Sequence, residues 1–316
     1  VKKSFLVIIS LLVVSFLLIG CSFSFGMPSA PTQQGESVSE DTGGSTGSDE
    51  NTGGDTSGSG STSEEQTSET HIFTVADVKD AIVLPSEAKN VFLSMVNLFF
   101  TGEAPVINVG FTTQNHSLWH VHINAQVKQD IPQETFEKAK KILLDMGYPE
   151  DLIAMSYGDY GGGIALGRTD KGFSLEIAYD KQGKSLVMGV GLQASDNKPA
   201  FGLDFSKLKG STYWKCVKDV FGKAGIDVSQ LKDDEMLSIQ PNGALVSVSF
   251  IVNNGISTAE VTKVIAAIKS AYGGEYTEIG GAYTLDGAKC KKADISVSGM
   301  MKDDKGLFSI SVEFPY

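Results

Sequence analysis

The sequence predicts an α+β fold in which antiparallel meander sheets pack against paired helices, arranged as two similar halves. Three observations carry this. Between residues 71 and 316, helix-like apolar spacing and two-residue alternation succeed each other in one order and then in that order again. The strand-like runs are joined by short turns rich in Gly, Asp and Asn. Such turns cannot hold the crossover helices that parallel strands require, which disfavours a doubly wound sheet.

The first half is expected over residues 71–195. Order begins between His71 and Pro85, and Ser86 is a candidate N-cap for a helix that places Ala88, Val91, Met95 and Phe99 on one face. Phe92, Leu93, Val96 and Phe100 add a second apolar side, so this helix should be broadly buried. Strands are predicted at Val106 to Phe111 and Leu118 to Val127. Pro132 then opens a helix lined by Phe136, Ala139, Leu143 and Met146. Four further strands follow: Leu152 to Tyr157, Gly163 to Gly167, Phe173 to Tyr179 and Ser185 to Val190.

The second half is expected over residues 200–316. Ser211 is placed to cap a helix whose inner face is Trp214, Val217, Val220 and Phe221. Met236 to Ile239 and Ala244 to Val252 read as strands around a Pro241-Asn242-Gly243 turn. Ser257 and Glu260 have capping-box spacing ahead of a stripe of Val261, Val264, Ile265, Ile268 and Tyr272. Glu275 to Leu285, Ala293 to Ser298 and Phe308 to Phe314 complete the strands.

Charge excludes some partners. Residues 28–70 hold nine acidic groups and no Lys or Arg, whereas residues 71–316 hold 29 acidic and 24 basic ones. A nucleic-acid partner needs a basic face that displaces counterions, and the folded part has none in prospect. Arg168 is the only arginine in the chain. It is therefore the one guanidinium available for a bidentate clamp on an anion, and otherwise an ordinary surface cation.

The residues suited to chemistry are few. His116, His120 and His122 fall within seven positions, and a strand would project His120 and His122 to the same face. Two such imidazoles suit a divalent transition metal if further ligands arrive, with Asp159 and Glu176 as candidates. They equally suit the polar side of a half-buried strand whose Val121 and Ile123 face the core. No other cofactor is suggested.

Tyr157 to Gly163 is glycine-rich, but a strand follows it where a phosphate-cradling loop would lead into a helix. It reads as a hairpin connection in which Tyr157 and Tyr160 could edge a ligand or partner surface. There is no Gly-x-Ser-x-Gly elbow, no recognisable Cys-His arrangement and no twelve-residue calcium loop, so enzymatic activity is not expected. Cys216 and Cys290 could form a disulfide in an oxidising compartment or remain two thiols.

The N-terminal region carries the address. Lys2 and Lys3 precede an apolar run from Phe5 to Ile19, and Gly20 precedes Cys21, the layout of a secretory signal peptide at residues 1–20. Leu18-Ile19-Gly20-Cys21 resembles the lipobox of bacterial lipoproteins. That resemblance covers residues 1–21 alone and implies diacylglycerol on the Cys21 sulfur, cleavage before Cys21, and an extracytoplasmic protein held on the cell membrane by its lipid. A signal anchor is the alternative, but the run is short for a span of about 20 residues.

Residues 21–70 then read as a tether, because their Ser, Thr, Gly and acidic groups offer no apolar face to bury. Residues 28–70 would reach roughly 35–40 Å as a flexible coil. Three functions fit: a tethered binding or assembly module with a protein partner, a metal-binding protein or enzyme using the His120/His122 face, and a structural envelope protein that associates with its own kind.

Overall fold

The computed structural model describes residues 73–100, 103–114, 118–193, 199–208, 212–302 and 304–316, all within one compact unit, Glu69–Tyr316. The stretches expected as signal peptide and tether, Cys21, His116 and the expected cap Ser211 lie outside the described residues. The α+β class is as expected.

Helix α1 (Val75–Val78) opens at Thr74, whose N–H donates to Asp77 Oδ2 at 2.8 Å. Strand β1 (Ile82–Val83) and helix α2 (Ser86–Phe99) follow. Pro85, not Ser86, occupies the cap position of α2, and Ser86 is its first helical residue. The broad apolar surface of α2 is buried through Ala88, Val91, Phe92, Met95, Val96 and Phe99. Strands β2 (Val106–Gln114) and β3 (Leu118–Gln126) form a hairpin before helix α3 (Gln133–Asp145), which begins directly after Pro132. Phe136 of α3 meets Phe99 of α2 edge-on at 5.1 Å between ring centres. Strands β4 (Ile153–Gly158), β5 (Gly161–Leu166), β6 (Phe173–Asp180) and β7 (Ser185–Gln193) form the first meander.

The second set repeats that order. After β8 (Gly202–Leu203) come helix α4 (Thr212–Lys223), the hairpin of β9 (Glu235–Asn242) and β10 (Leu245–Ser257), and helix α5 (Thr258–Tyr272). The meander of β11 (Glu275–Ile279), β12 (Ala282–Cys290), β13 (Ala293–Lys302) and β14 (Lys305–Pro315) closes the chain. The stretch expected as one strand from Glu275 to Leu285 is two, β11 and β12. Gly280 and Gly281, at φ 60° and 87°, reverse the chain between them. Pro241 and Asn242 belong to β9, so the hairpin loop is Gly243-Ala244.

Twelve strands make one sheet, ordered β11-β12-β13-β14-β10-β9-β2-β3-β7-β6-β5-β4. Read outward from its centre, each set runs hairpin, then meander in reverse. The sets meet edge to edge where β2 pairs antiparallel with β9, Phe111 opposite Leu237. A separate pair, β1 with β8, ties the start of the unit to Leu203.

Side chains alternate across the sheet, and every central strand buries the same side. Val121 and Ile123 of β3, Phe111 of β2, Leu237 of β9 and Phe250 of β10 are all nearly inaccessible. The helices pack on that side: Phe221 of α4 lies 6.0 Å from Phe250, and Trp214 lies 5.0 Å from Phe314 of β14. Each such large side chain contributes about 2–3 kcal/mol through burial. None of the described helices packs on the opposite side, which holds His120 and His122.

Candidate recognition face

The strand pairings tile the helix-free side with short side chains. Across the second set, Ser296, Ser311, Ser249 and Ser238 stand opposite one another on adjacent strands. The row continues across the seam through Gly110, His122, Gly189 and Glu176. A hydrogen bond of 2.8 Å joins the hydroxyls of Ser249 and Ser311. The serines are short and half-buried, so the second set presents little side-chain bulk on this side, whereas Gly110 and Gly189 are buried and the helix side of the same strands is filled by Val, Ile, Leu and Phe.

His120 and His122 share this face, as their spacing predicts. Their rings are stacked with centres 5.8 Å apart and planes inclined by 29°. They lean in different directions, however. A Cβ at Gly110 would collide with the His122 ring, and one at Gly189 would lie 2.7 Å from His120 Nε2. Glycine at both positions thus provides the space in which each ring lies down, His122 toward β2 and His120 toward β7.

Burial, reinforced by the nearness of His122, pushes the His120 pKa down to about 3. Burial lowers that of His122 as well. Both imidazoles are therefore neutral at neutral pH. Glu176, two strands from β3 and about 10 Å away by strand spacing, has its carboxyl raised above the usual range by burial. Asp159 is in the β4–β5 turn, at least three strand spacings from β3, or about 14 Å. Among the described residues, no three His, Cys, Asp or Glu side chains gather closely enough to hold a metal ion.

The same face carries polar groups that the sequence did not single out. Asn108 of β2 stands directly opposite Asn124 of β3, and the Oδ1 atom of each is buried without a hydrogen-bond partner among the described residues. Gln193 Oε1, at the end of β7, is in the same condition. Polar residues at alternate strand positions were the available signal, but only the pairing shows that Asn108 and Asn124 meet.

The remaining candidates are dispersed. Tyr157 is packed toward the helices: its hydroxyl donates to Ile131 O at 2.8 Å and its ring lies 5.7 Å from Phe136. Tyr160 projects from the β4–β5 turn, 78% exposed. Arg168 lies beyond the other end of β5, about 20 Å from Tyr160 by the length of that strand. Cys216 of α4 and Cys290 at the end of β12 are joined in a disulfide, far from the histidines in the sheet order. Among the described residues, no helix is long and apolar enough to cross a membrane.

No family model matches this sequence, and no curated protein matches it. Among solved structures, crystal form I of TP0453 is similar over 77% of this chain and 91% of its own, with 7% identity and a TM-score of 0.21. MucB in complex with MucA(peri) is similar over 72% of this chain and 92% of its own, with 8% identity and a TM-score of 0.14. Likeness at those scores carries no argument about this chain.

Proposed function

We propose that this protein is a lipid-anchored, extracytoplasmic binding module that meets a protein partner on the helix-free face of its sheet. The observation that carries the reading is the facing pair Asn108 and Asn124, whose buried amide oxygens have no hydrogen-bond partner among the described residues. An unsatisfied buried acceptor costs about 1–3 kcal/mol. Backbone N–H groups of a bound polypeptide would relieve that cost, and the short side chains of the neighbouring serine row leave room for a backbone beside it. The lipobox-like Leu18 to Cys21 supports the anchor, and the tether gives the module its reach.

Photo-crosslinking in cells tests the face. A photoreactive residue at Ser238 or Ser298 should give a discrete protein adduct, and one at Lys141 on α3 should not. Asn124→Leu should weaken that adduct while leaving the protein as stable as the parent or more so, since it removes the orphaned oxygen. Equal labelling from Lys141, or an adduct indifferent to Asn124→Leu, would remove the reading. The anchor is tested separately, by whether Cys21→Ser leaves the membrane fraction.

A second reading rests on His120 and His122, whose rings stand stacked on one face with centres 5.8 Å apart, as a start of a divalent transition-metal site. It requires stoichiometric metal in protein purified under metal-replete, chelator-free conditions, lost on changing both His120 and His122 to alanine. A structural envelope role would instead show as discrete, concentration-dependent self-association.

A further inference from the structure

Where β3, β6 and β7 end together, the surface holds a depression of about 250 Å³. Pairing sets its geometry: Leu118 stands opposite Gln193, and Ser174 opposite Gly191. Leu118 supplies the apolar lining, and Arg168, Ser174 and Gln193 supply the polar groups; the Phe173 side chain is buried on the helix side. A Cβ at Gly191 would lie 2.8 Å from Ser174 Oγ, so the glycine keeps room for that hydroxyl. The connection that presents Arg168 is tied down on both sides. Thr169 N–H donates to Phe173 O at 2.9 Å, and Gly172 N–H donates to Thr169 O at 3.0 Å. Thr169 itself is buried.

The chemistry of the three polar groups is specific. Arg168 is the sole arginine of a chain that otherwise uses lysine, and it enters no ion pair among the described residues. Its planar fork matches a carboxylate through two parallel hydrogen bonds. Gln193 Oε1 is buried and unsatisfied among the described residues, and so calls for a donor. A bare inorganic anion would satisfy the guanidinium but set acceptor against acceptor at Gln193. A carboxylate with an N–H a few bonds away satisfies both.

We propose that this depression binds the free C-terminal carboxylate of a polypeptide. Arg168 clamps the carboxylate, Ser174 Oγ donates to it, and Gln193 Oε1 accepts the N–H of the terminal residue. The terminal side chain lies against Leu118, and the volume suits a single residue. The proposal does not depend on the reading of the Asn108/Asn124 face, which has its own test.

Fluorescence anisotropy on the full chain in detergent decides the matter, with a fluorescein-labelled Gly-Ser-Ala-Leu peptide as probe. The free acid should bind saturably, and the peptide ending in a carboxamide at least about tenfold more weakly. Arg168→Lys and Gln193→Leu should each weaken the free acid by about tenfold, with melting temperatures near the parent's showing that both variants fold. Acetyl-leucine should compete, and sulfate, an anion with acceptors alone, should not at equal concentration. Equal binding of acid and amide would overturn the proposal, as would parental affinity in both variants, competition by sulfate as strong as by acetyl-leucine, or no saturation by millimolar peptide.

Discussion

At the scale of single residues, burial of a neutral imidazole makes mild acid a specific stress on this protein. The folded-state pKa of His120 is about 3 against an ordinary 6.5, so the unfolded chain takes up the proton first. The stability tied to His120 is complete above about pH 6.5 and drains away as the pH falls below it. By pH 5 the loss should be about 2 kcal/mol. Glu176 acts in the opposite sense: its raised folded-state value lets the folded form bind that proton first, so its contribution improves on acidification. Asp130, Asp204 and Glu260 are all held below their ordinary values, by partners including Lys184, Ser206 and Ser257 respectively. Their contributions are lost only near pH 4.5 and below. Between pH 7 and 5, therefore, urea midpoints of the parent should fall, and those of His120→Gln should fall clearly less. Parallel slopes for the two proteins would show that the imidazole is not the group responsible.

At the scale of elements, Ser257 is both the last residue of β10 and the cap of α5. Its N–H donates to Glu260 Oε2 at 2.9 Å, and Glu260 N–H donates back to its Oγ at 3.3 Å. Ser257→Ala should cost about 1 kcal/mol in chemical denaturation, with Glu260→Ala adding little on top because both dismantle one motif. The Cys216–Cys290 disulfide fastens α4 to the end of β12. Closing so long a loop is worth about 2–4 kcal/mol. Reduction, or replacement of both cysteines by alanine, should lower stability by that amount while leaving the peptide affinity of the Arg168 depression unchanged.

The four long helices were legible in the sequence because a 3.6-residue stripe and a proline or capping signal coincide at each. The division at Gly280-Gly281 carries the Gly-Gly signal of a two-residue hairpin loop, but β11 is short and polar, and the pairing of Ile279 with Ala282 is what separates it from β12. α1, β1 and β8 are too short to display any period. His120 and His122 could be placed on one face by counting, whereas Asn108 and Asn124, sixteen positions apart, come together only through strand pairing.

At the scale of the whole folded unit, the two sets of elements share one sheet through β2 and β9, four residue pairs from Val109–Ile239 to Thr112–Met236. No local pattern encodes that seam, because residues near 110 and near 238 carry the same alternation as any interior strand. Its consequence is coupling. Phe111 is fully buried, stands between Val121 and Leu237, and packs on Phe201 at 5.8 Å between ring centres. A single sheet with one continuous core should open as a unit, despite a length at which separate domains are common. Phe111→Ala should cost about 3–5 kcal/mol. If the seam couples the sets, hydrogen exchange at Val190 in β7 and Ile310 in β14 should accelerate by the same factor, because both amides then exchange through the same global opening. Acceleration at one of them alone would mean that each set of strands unfolds independently, and that the pairing of β2 with β9 joins two bodies without making them one.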